Sequence, residues 1–493
     1  MTRLADSCDV FVIGGGPSGS AAAQLLTAWG WSVVVAHRAT SAPALAESLP
    51  PSTRKLLRML GQLDAVESAG FHPNTGNVAH WADAVRVTTA PEAGFHVSRA
   101  RFDAVLRDSA LATGARIVDG AVRYLDGDDP VQVTYASADG QVRTCHARYV
   151  LDCSGRAGVV ARRGLRRRDT RYRTLAVVAE WECADDDVED RTRTTVESYR
   201  DGWAWSVPLD TTRRQCTVMI ERKDSRPLVA VYDAELAKTG PLRARLATAR
   251  QISTPWACDA SLYDATRAAD GHALLVGDAA SFIEPLSSAG VKKALLSAWR
   301  AAIVTNTCLA NSAMAPAALE LYVRREHEVY ADCLRRSQTF FAEAAATYDT
   351  PFWASRARPA ETDPLRSADS HTITDEALGR DTDVRAAFER LRATASMRVR
   401  PAATLRFEPA AAIEGREVVM RDAIAVPGLD APLQFAAGVD LAALARLARD
   451  VGEVPALVAA YRAHVDPAPI AGVLAGLSVL VARHALVAED SPS

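Results

Sequence analysis

An α/β fold with an inserted antiparallel sheet and a C-terminal α+β module is predicted for this chain, on three observations. First, the apolar, β-branched run Asp9-Val10-Phe11-Val12-Ile13 enters Gly14-Gly15-Gly16-Pro17-Ser18-Gly19 and then the alanine-rich segment Ser20 to Leu26, which reads as strand, glycine turn and helix. Second, Ala273-Leu274-Leu275-Val276 is a continuous apolar run that stops at Gly277-Asp278, as a strand buried on both faces does. Third, Thr174 to Met219 consists of alternating runs broken by acidic or glycine turns, the pattern of an antiparallel sheet.

The first element sets the chemistry. Gly14, Gly16 and Gly19 fill the G-x-G-x-x-G spacing, between a buried strand and a helix. Gly14 makes the tight turn, Gly16 lets backbone approach a pyrophosphate, and Gly19 lets the helix pack against the strand. Pro17 and Ser18 open that helix, whose free N–H groups and partial positive charge suit phosphate. The motif predicts a Rossmann-like dinucleotide site. The second strand is Trp31 to Ala36, and an acidic residue is expected at its end to hold a ribose. His37-Arg38 stand there instead, and both are carried forward as cofactor contacts.

Composition sets bounds. The chain has 493 residues, 48% hydrophobic and 24% charged, with a net charge of −3. That balance suits a globular protein of two or three domains and points to no nucleic-acid partner and no membrane partner. Eight cysteines are scattered without a C-x-x-C pair, so neither a disulfide framework nor a metal site is expected. Read with no leader segment, they imply reduced thiols and a cytoplasmic protein. Ala471 to Ala482 is too short to span a bilayer and reads as a core helix.

Along the chain, a helix is expected over Thr53 to Leu63, a loop opening at Gly70-Phe71, and a helix over Ala104 to Ala112. Val131 to Ala147 alternates around Asp139-Gly140, a hairpin signal. Tyr149 to Asp152 is a strand entering Cys153-Ser154-Gly155, and the basic run Arg162 to Arg173 reads as a solvated loop. Gly290-Val291 opens a long apolar helix to about Ala310, followed by charged helices to about Thr347. Arg356 to Glu376 reads as a linker or lid, Glu414 to Ala425 as a strand pair, and Leu441 to Ala463 as helices. The expected domains are a dinucleotide-binding domain in two parts, 1–173 and 267–347, an antiparallel sheet substrate domain at 174–266, a linker at 348–376 and an α+β module at 377–493.

Gly14 to Gly19, Arg99-x-x-Phe102-Asp103, Asp152-x-Ser154-Gly155 and Gly277-Asp278 stand in an order that resembles the FAD monooxygenases of the p-hydroxybenzoate hydroxylase fold. Glu47-Ser48-Leu49-x-Pro51, Trp203-x-Trp205-x-Val207-Pro208 and Phe282-x-Glu284-Pro285 with Gly290-Val291 resemble the flavin-dependent halogenase branch of that fold. Among non-halogenating relatives, the chain looks most like the flavoproteins that hydroxylate peptidyl tryptophan in tryptophylquinone maturation. The resemblance runs from residue 8 to about 345 and implies an FAD-binding domain of glutathione-reductase type. It implies that Glu47, Ser48 and Arg99 reach the cofactor, and that Asp278 after Gly277 accepts hydroxyl bonds from the flavin's sugar-alcohol chain. It also implies that the helix starting at Gly290-Val291 faces reduced flavin, whose anion helix N–H groups stabilise. Trp203 and Trp205, two apart on a strand, face one side, either as plain core or beside the tunnel between flavin and substrate.

Family halogenases carry a lysine in Gly-Phe-x-x-Lys-x-Gly to relay hypohalous acid; here Gly70 to Gly76 places Asn74 at that position. The tryptophan halogenases add Glu-Ser-Thr-Gly after Glu-Pro-Leu; here it is Ser287-Ser288-Ala289-Gly290. Lys292 and Lys293 follow closely, and Lys292 is the candidate for a relocated lysine. Both departures fall on halogen chemistry, whereas the flavin motifs are kept. The expectation is an FAD-dependent monooxygenase acting through a flavin hydroperoxide on an electron-rich indole or phenol, free, peptide-bound or carrier-bound. The candidate catalytic residues are Trp203, Trp205, Glu284 and Lys292, with His72, His80, Asp83 and His96 as candidate bases. With no second glycine-rich nucleotide site visible, a separate flavin reductase is preferred over direct reduction by NAD(P)H. The alternatives are an aromatic halogenase and a non-catalytic subunit that holds FAD for another protein.

Overall fold

The computed structural model describes residues 7–183, 191–221, 225–358, 372–373, 381–393, 397–427, 429 and 431–490. The chain divides into two units, Met1–Ala360 and Glu361–Ser493.

In the first unit, the apolar run forms strand β1 (Ser7–Ile13), and Gly16 caps helix α1 (Pro17–Ala28). On one side β1 pairs in parallel with β2 (Val33–His37), which pairs in parallel with β6 (Arg116–Asp126). On the other side β1 pairs in parallel with β8 (Val142–Asp152), which pairs in parallel with Ala273–Leu275. β7 (Val131–Ser137) runs antiparallel to both β6 and β8, so the Asp139-Gly140 hairpin forms as its alternation predicts. Helix α2 (Arg99–Ala112) packs on α1, as does α3 (Gly290–Ala310), the long apolar helix expected from Gly290. Because β1 and β8 have helices and strands on every side, Val10, Phe11, Val12, Val150 and Leu151 are fully buried.

The second sheet has nine strands and draws on more of the chain than 174–266. Its path runs from Arg250–Gln251 through β9 (Leu175–Glu182), β12 (Arg213–Ile220), β11 (Gly202–Pro208), β10 (Arg193–Tyr199), β4 (His72–Trp81) and β5 (Ala84–Ser98) to β3 (Ala46–Leu49). β10 and β4 pair in parallel, so the sheet is not wholly antiparallel. Segment 70–76, expected to be a loop, enters strand β4 at His72. Its Pro73, Asn74 and Gly76 carry weak strand signals, but pairing with β5 holds it, with a register shift between Asn74 and Gly76. The expected helix Thr53 to Leu63 is two, Ser52–Met59 and Leu63–Ser68, broken at Gly61 with φ +69°. The basic loop holds a short strand, Arg166–Arg168, paired with Tyr263–Ala265, and Arg167 and Arg168 meet Asp264 and Asp259 at 3.2 Å each. Helix α4 (Ala315–Tyr348) is continuous, and α5 (Pro351–Ala357) follows it. The rest of the expected linker or lid lies outside the described residues, except Thr372–Ile373.

The second unit is α+β. Its hairpin is Arg406–Glu414 with Glu417–Ala425, turning at Gly415, so the strand pair begins earlier than Glu414. The first strand escapes notice because Pro409 and Ala410-Ala411-Ala412 carry little β signal. Helices Leu441–Asp450, Val454–His464 and Ile470–Ala482 bury Leu444, Leu457 and Leu477 in one core. No helix among the described residues is long and apolar enough to cross a membrane.

Candidate functional site: a dinucleotide-sized cleft at the end of β1

A cavity of about 450 Å³ opens at the carboxyl ends of β1 and β2. Ligand clefts of α/β sheets form at such ends, where the strand order reverses. Gly14, Gly15, Gly16, Pro17 and Ser18 line it, and three glycines explain its shape. Gly14 has φ +105°, and a Cβ there would sit 2.5 Å from the Cys153 carbonyl oxygen. A Cβ on Gly19 would sit 1.8 Å from the Gly14 carbonyl oxygen, so Gly19 serves close helix packing and does not line the cavity. Gly16 differs: its Cβ would meet only the Asp103 and Arg99 side chains, at 3.7 and 3.9 Å. Bare backbone with N–H groups therefore faces the cavity, the cradle a pyrophosphate takes.

His37 and Arg38 line the cavity from the end of β2, where the ribose carboxylate was expected. Burial and the neighbouring Arg107 guanidinium hold the His37 imidazole below its ordinary pKa, so it is a neutral hydrogen-bonding group. Arg107 itself donates to the Gly15 carbonyl at 3.2 Å.

A charged rim closes one side. Arg99 donates to both oxygens of Asp103, at 2.9 and 3.1 Å, and reaches Glu47 at 3.4 Å. Burial opposes the Arg99 charge, but the carboxylates of Asp103, Glu47 and Asp278 outweigh it and hold its pKa above the ordinary value. Burial pushes the Glu47 carboxyl up, with Arg99 opposing and Asp278 adding to the shift. Asp278 lines the cavity and meets Lys293 Nζ at 3.4 Å. Lys293 is 4% exposed and donates to the Gly277 carbonyl at 3.1 Å and to Ser281. It fastens the Gly277–Ser281 turn from behind and stays out of the cavity lining. Gly290 and Val291 bring the first turn of α3 to the same cavity.

Other expected residues stand elsewhere. Ser48 is buried away from the cavity, and its hydroxyl accepts from Asn74 Nδ2 at 2.9 Å and from Thr194 at 2.8 Å. Asn74 is 3% exposed; Nδ2 also donates to the Leu49 carbonyl at 3.1 Å, and Oδ1 accepts from the Gly76 N–H at 3.0 Å. Lys292 donates to Ser52 at 3.1 Å and does not line the cavity. The candidate bases are also outside the lining. His72 and His96 are tied to the Arg191 and Thr192 carbonyls, and Thr347 donates to Asp83. Burial lowers the His96 pKa to about 3, and His80 is paired within β4.

Trp203 and Trp205 do share a face. Their rings stack at 4.9 Å and 27°, and Trp205 lines the cavity while Trp203 is buried behind it. Glu284 is 2% exposed and also lies behind the lining, between Ile283 and Pro285, which do line it. Burial pushes its carboxyl up to about 7, opposed by the Arg356 guanidinium and the Trp203 indole. Asp103 and Arg156, both at the cavity, are absent from the expected set. The i, i+4 spacing of Asp103 from Arg99 is a signal for the first. Nothing local marks Arg156.

The glycine backbone, His37 with Arg38, the charged rim and the first turn of α3 all face one cavity. The tryptophan halogenase family profile matches residues 74–376. A tryptophan 2-halogenase of Chondromyces crocatus is 30% identical over 377 residues, 72% of this chain and 71% of that protein. Several other curated relatives are matched over 63% to 65% of their own length. The flavin-dependent halogenase CmlS superposes with a TM-score of 0.79 at 23% identity, over 100% of this chain and 97% of that one. The peptidyl tryptophan dihydroxylase QhpG superposes with a TM-score of 0.67 at 23% identity, over 92% and 95%. At these identities both structural likenesses concern the fold. With its profile matched over more than half of the residues, this chain belongs to the tryptophan halogenase family, a branch of the FAD-dependent enzymes.

Proposed function

We propose that the protein is an FAD-dependent monooxygenase of an electron-rich aromatic ring, an indole or a phenol. The observation that carries this reading is Asn74. It occupies the position of the relay lysine, and its side chain is engaged within the sheet by Ser48, the Leu49 carbonyl and the Gly76 N–H. Among the described residues no lysine lines the cavity, and the arginines that do are Arg38, Arg99 and Arg156. An amide forms no haloamine and has no charge to steer hypohalite.

Reduced FAD, when bound, supplies the electrons that activate oxygen. The chain's residues bind and orient. The Gly14–Gly16 backbone and the start of α1 take the pyrophosphate, and His37 with Arg38 takes the adenosine ribose. Glu47, Asp103 and Asp278, gathered around the Arg99 guanidinium, form a charged rim for hydroxyls of the cofactor. The first turn of α3, at Gly290 and Val291, offers N–H groups and a dipole to negative charge on the ring. Trp205, Phe282 and Ile283 give the cavity an apolar wall that excludes water and suits a flat aromatic. A separate flavin reductase is the proposed electron source, and the proposed setting is the cytoplasm. QhpG, a peptidyl tryptophan dihydroxylase, supports a peptide-bound aromatic as one substrate form.

Halogenation is the second reading, favoured by the 30% identity to a tryptophan 2-halogenase. The test supplies purified protein with FAD, a flavin reductase, oxygen, bromide and a panel of indoles and phenols, free and peptide-bound. Products heavier by one oxygen are expected. Brominated product from the wild type, lost in Lys292→Ala at full flavin occupancy, overturns the reading and installs the alternative. A third reading, a subunit that only holds FAD, predicts no substrate-dependent oxygen consumption in any arm.

A further inference from the structure

A line of indole rings leads from the cavity wall to a half-buried phenol. Trp205, on β11, lines the cavity, and its ring stacks on that of Trp203 at 4.9 Å and 27°. Trp203 meets Trp81, the last residue of β4, at 6.2 Å, and Trp81 meets Trp353 of α5 at 5.5 Å. Trp353 stacks in turn on Tyr348, the last residue of α4, at 6.1 Å and 22°. Trp203, Trp81 and Trp353 are fully buried, whereas Tyr348 is half-buried. Packing alone does not ask for this composition. A core needs apolar volume of the right shape, and Phe340, Phe341 and Phe352 supply that beside the line. The chain has nine tryptophans, and Trp205, Trp203, Trp81 and Trp353 all stand on the line itself. Indole and phenol are the aromatic side chains that give up one electron most readily. Electron exchange falls steeply with distance, and no step between ring centres here exceeds 6.2 Å.

We propose that this line of rings carries one-electron oxidising equivalents from the cavity wall to Tyr348, and so spares the wall from photo-oxidation by its cofactor. The inference rests on reading the cavity as the flavin site. Oxidised flavin excited by light is the oxidant, and it takes one electron from Trp205. Trp203, Trp81, Trp353 and Tyr348 each pass one electron inward in turn, which restores every indole. The direction follows from where a proton can go. An oxidised indole stays a cation until it loses its N–H proton. Trp81 donates that N–H to the Phe340 carbonyl at 2.9 Å, and Trp353 donates its own to the Tyr199 carbonyl at 3.0 Å. A peptide carbonyl does not keep a proton, so the positive charge stays on a ring in apolar surroundings that disfavour it, and it moves on. Tyr348 donates to the Ser198 carbonyl at 2.9 Å, and from its half-buried place its oxidised phenol releases the proton to water. A thiol in solution then returns one hydrogen atom to the phenoxyl oxygen, which closes the cycle.

The test gives the FAD-loaded full chain a flash of blue light, without oxygen, thiol or substrate, and follows radicals by transient absorption and electron paramagnetic resonance. A tryptophan radical that converts to a tyrosine phenoxyl radical is expected. Tyr348→Phe, which deletes only a hydroxyl, removes the phenoxyl signal and leaves the tryptophan signal. Trp353→Phe breaks the line one ring earlier and also removes the phenoxyl signal. Should Trp353→Phe not fold, Trp203→Phe breaks the line nearer the cavity with the same expected loss. With flavin bound, a wild type without phenoxyl signal overturns the proposal. So does a phenoxyl signal that persists in Tyr348→Phe or is undiminished in the broken line. Each of these results leaves the cavity reading standing, because flavin occupancy is measured before the flash. A chain that binds no flavin overturns both.

Discussion

Replacing Asn74 separates a structural strut from a vacant relay position. Its side chain makes three hydrogen bonds across β3 and β4, at 2.9, 3.1 and 3.0 Å, and is 3% exposed. At about 1 kcal/mol net for each bond, Asn74→Ala loses roughly 3 kcal/mol, because the Leu49 carbonyl and Gly76 N–H stay buried. For a unit of this size that lowers the thermal midpoint by about 4 °C, measurable by differential scanning fluorimetry with flavin absent. Asn74→Lys loses more, since an ammonium is desolvated without a carboxylate beside it. It also gains no bromide-dependent product, because its amine enters the buried contact with Ser48 and Leu49 that the Asn74 amide now fills. Two results refute this reasoning: a midpoint for Asn74→Ala within about 1 °C of the wild type, which denies the strut, or bromination by Asn74→Lys, which shows that the position reaches the reacting centre.

Three further perturbations test other parts of the site. Gly16→Val leaves the fold intact, since a Cβ there meets nothing closer than 3.7 Å, but it fills the cradle; the protein purifies without yellow colour, and full flavin occupancy would rule out the pyrophosphate assignment. Asp278→Ala weakens FAD and lowers stability, because Lys293 loses its ion-pair partner at 3.4 Å; flavin titration with a melting curve tests both, and an unchanged dissociation constant counts against Asp278 as a cofactor contact. His96 titrates at about 3 when folded and at 6.5 when unfolded, so its contribution is present above 6.5 and is lost as pH falls towards 3. The slope is up to about 1.4 kcal/mol per pH unit, and denaturation of His96→Gln should show a shallower acid limb than the wild type.

What the sequence by itself determined is local. β1, the glycine turn and α1 were legible because periodicity and the steric demands of glycine act within a few residues. The Asp139-Gly140 hairpin and the helix from Gly290 to Ala310 followed for the same reason. Arg99, Glu47, Asp278 and Gly290 were legible as a set through their motifs, and all line one cavity. The tertiary structure decided the rest. Segment 72–81 is a strand only because β5 and β10 supply its partners, in antiparallel and parallel register. Ser48 and Asn74, 26 residues apart, meet through that pairing, which turns one expected cofactor contact into an internal bond. Lys292 and Lys293 are neighbours in sequence, but the turn of α3 sends one to Ser52 and the other beneath Asp278. Trp203 shares a strand face with Trp205 but lies in the core beside Trp81, Phe341, Phe352 and Trp353, so only Trp205 reaches the cavity. Glu284 is likewise out of the lining while its neighbours Ile283 and Pro285 are in it. Which side chain of a wall meets the cavity depends on the layer packed beside it, and that layer comes from residues far away in the chain.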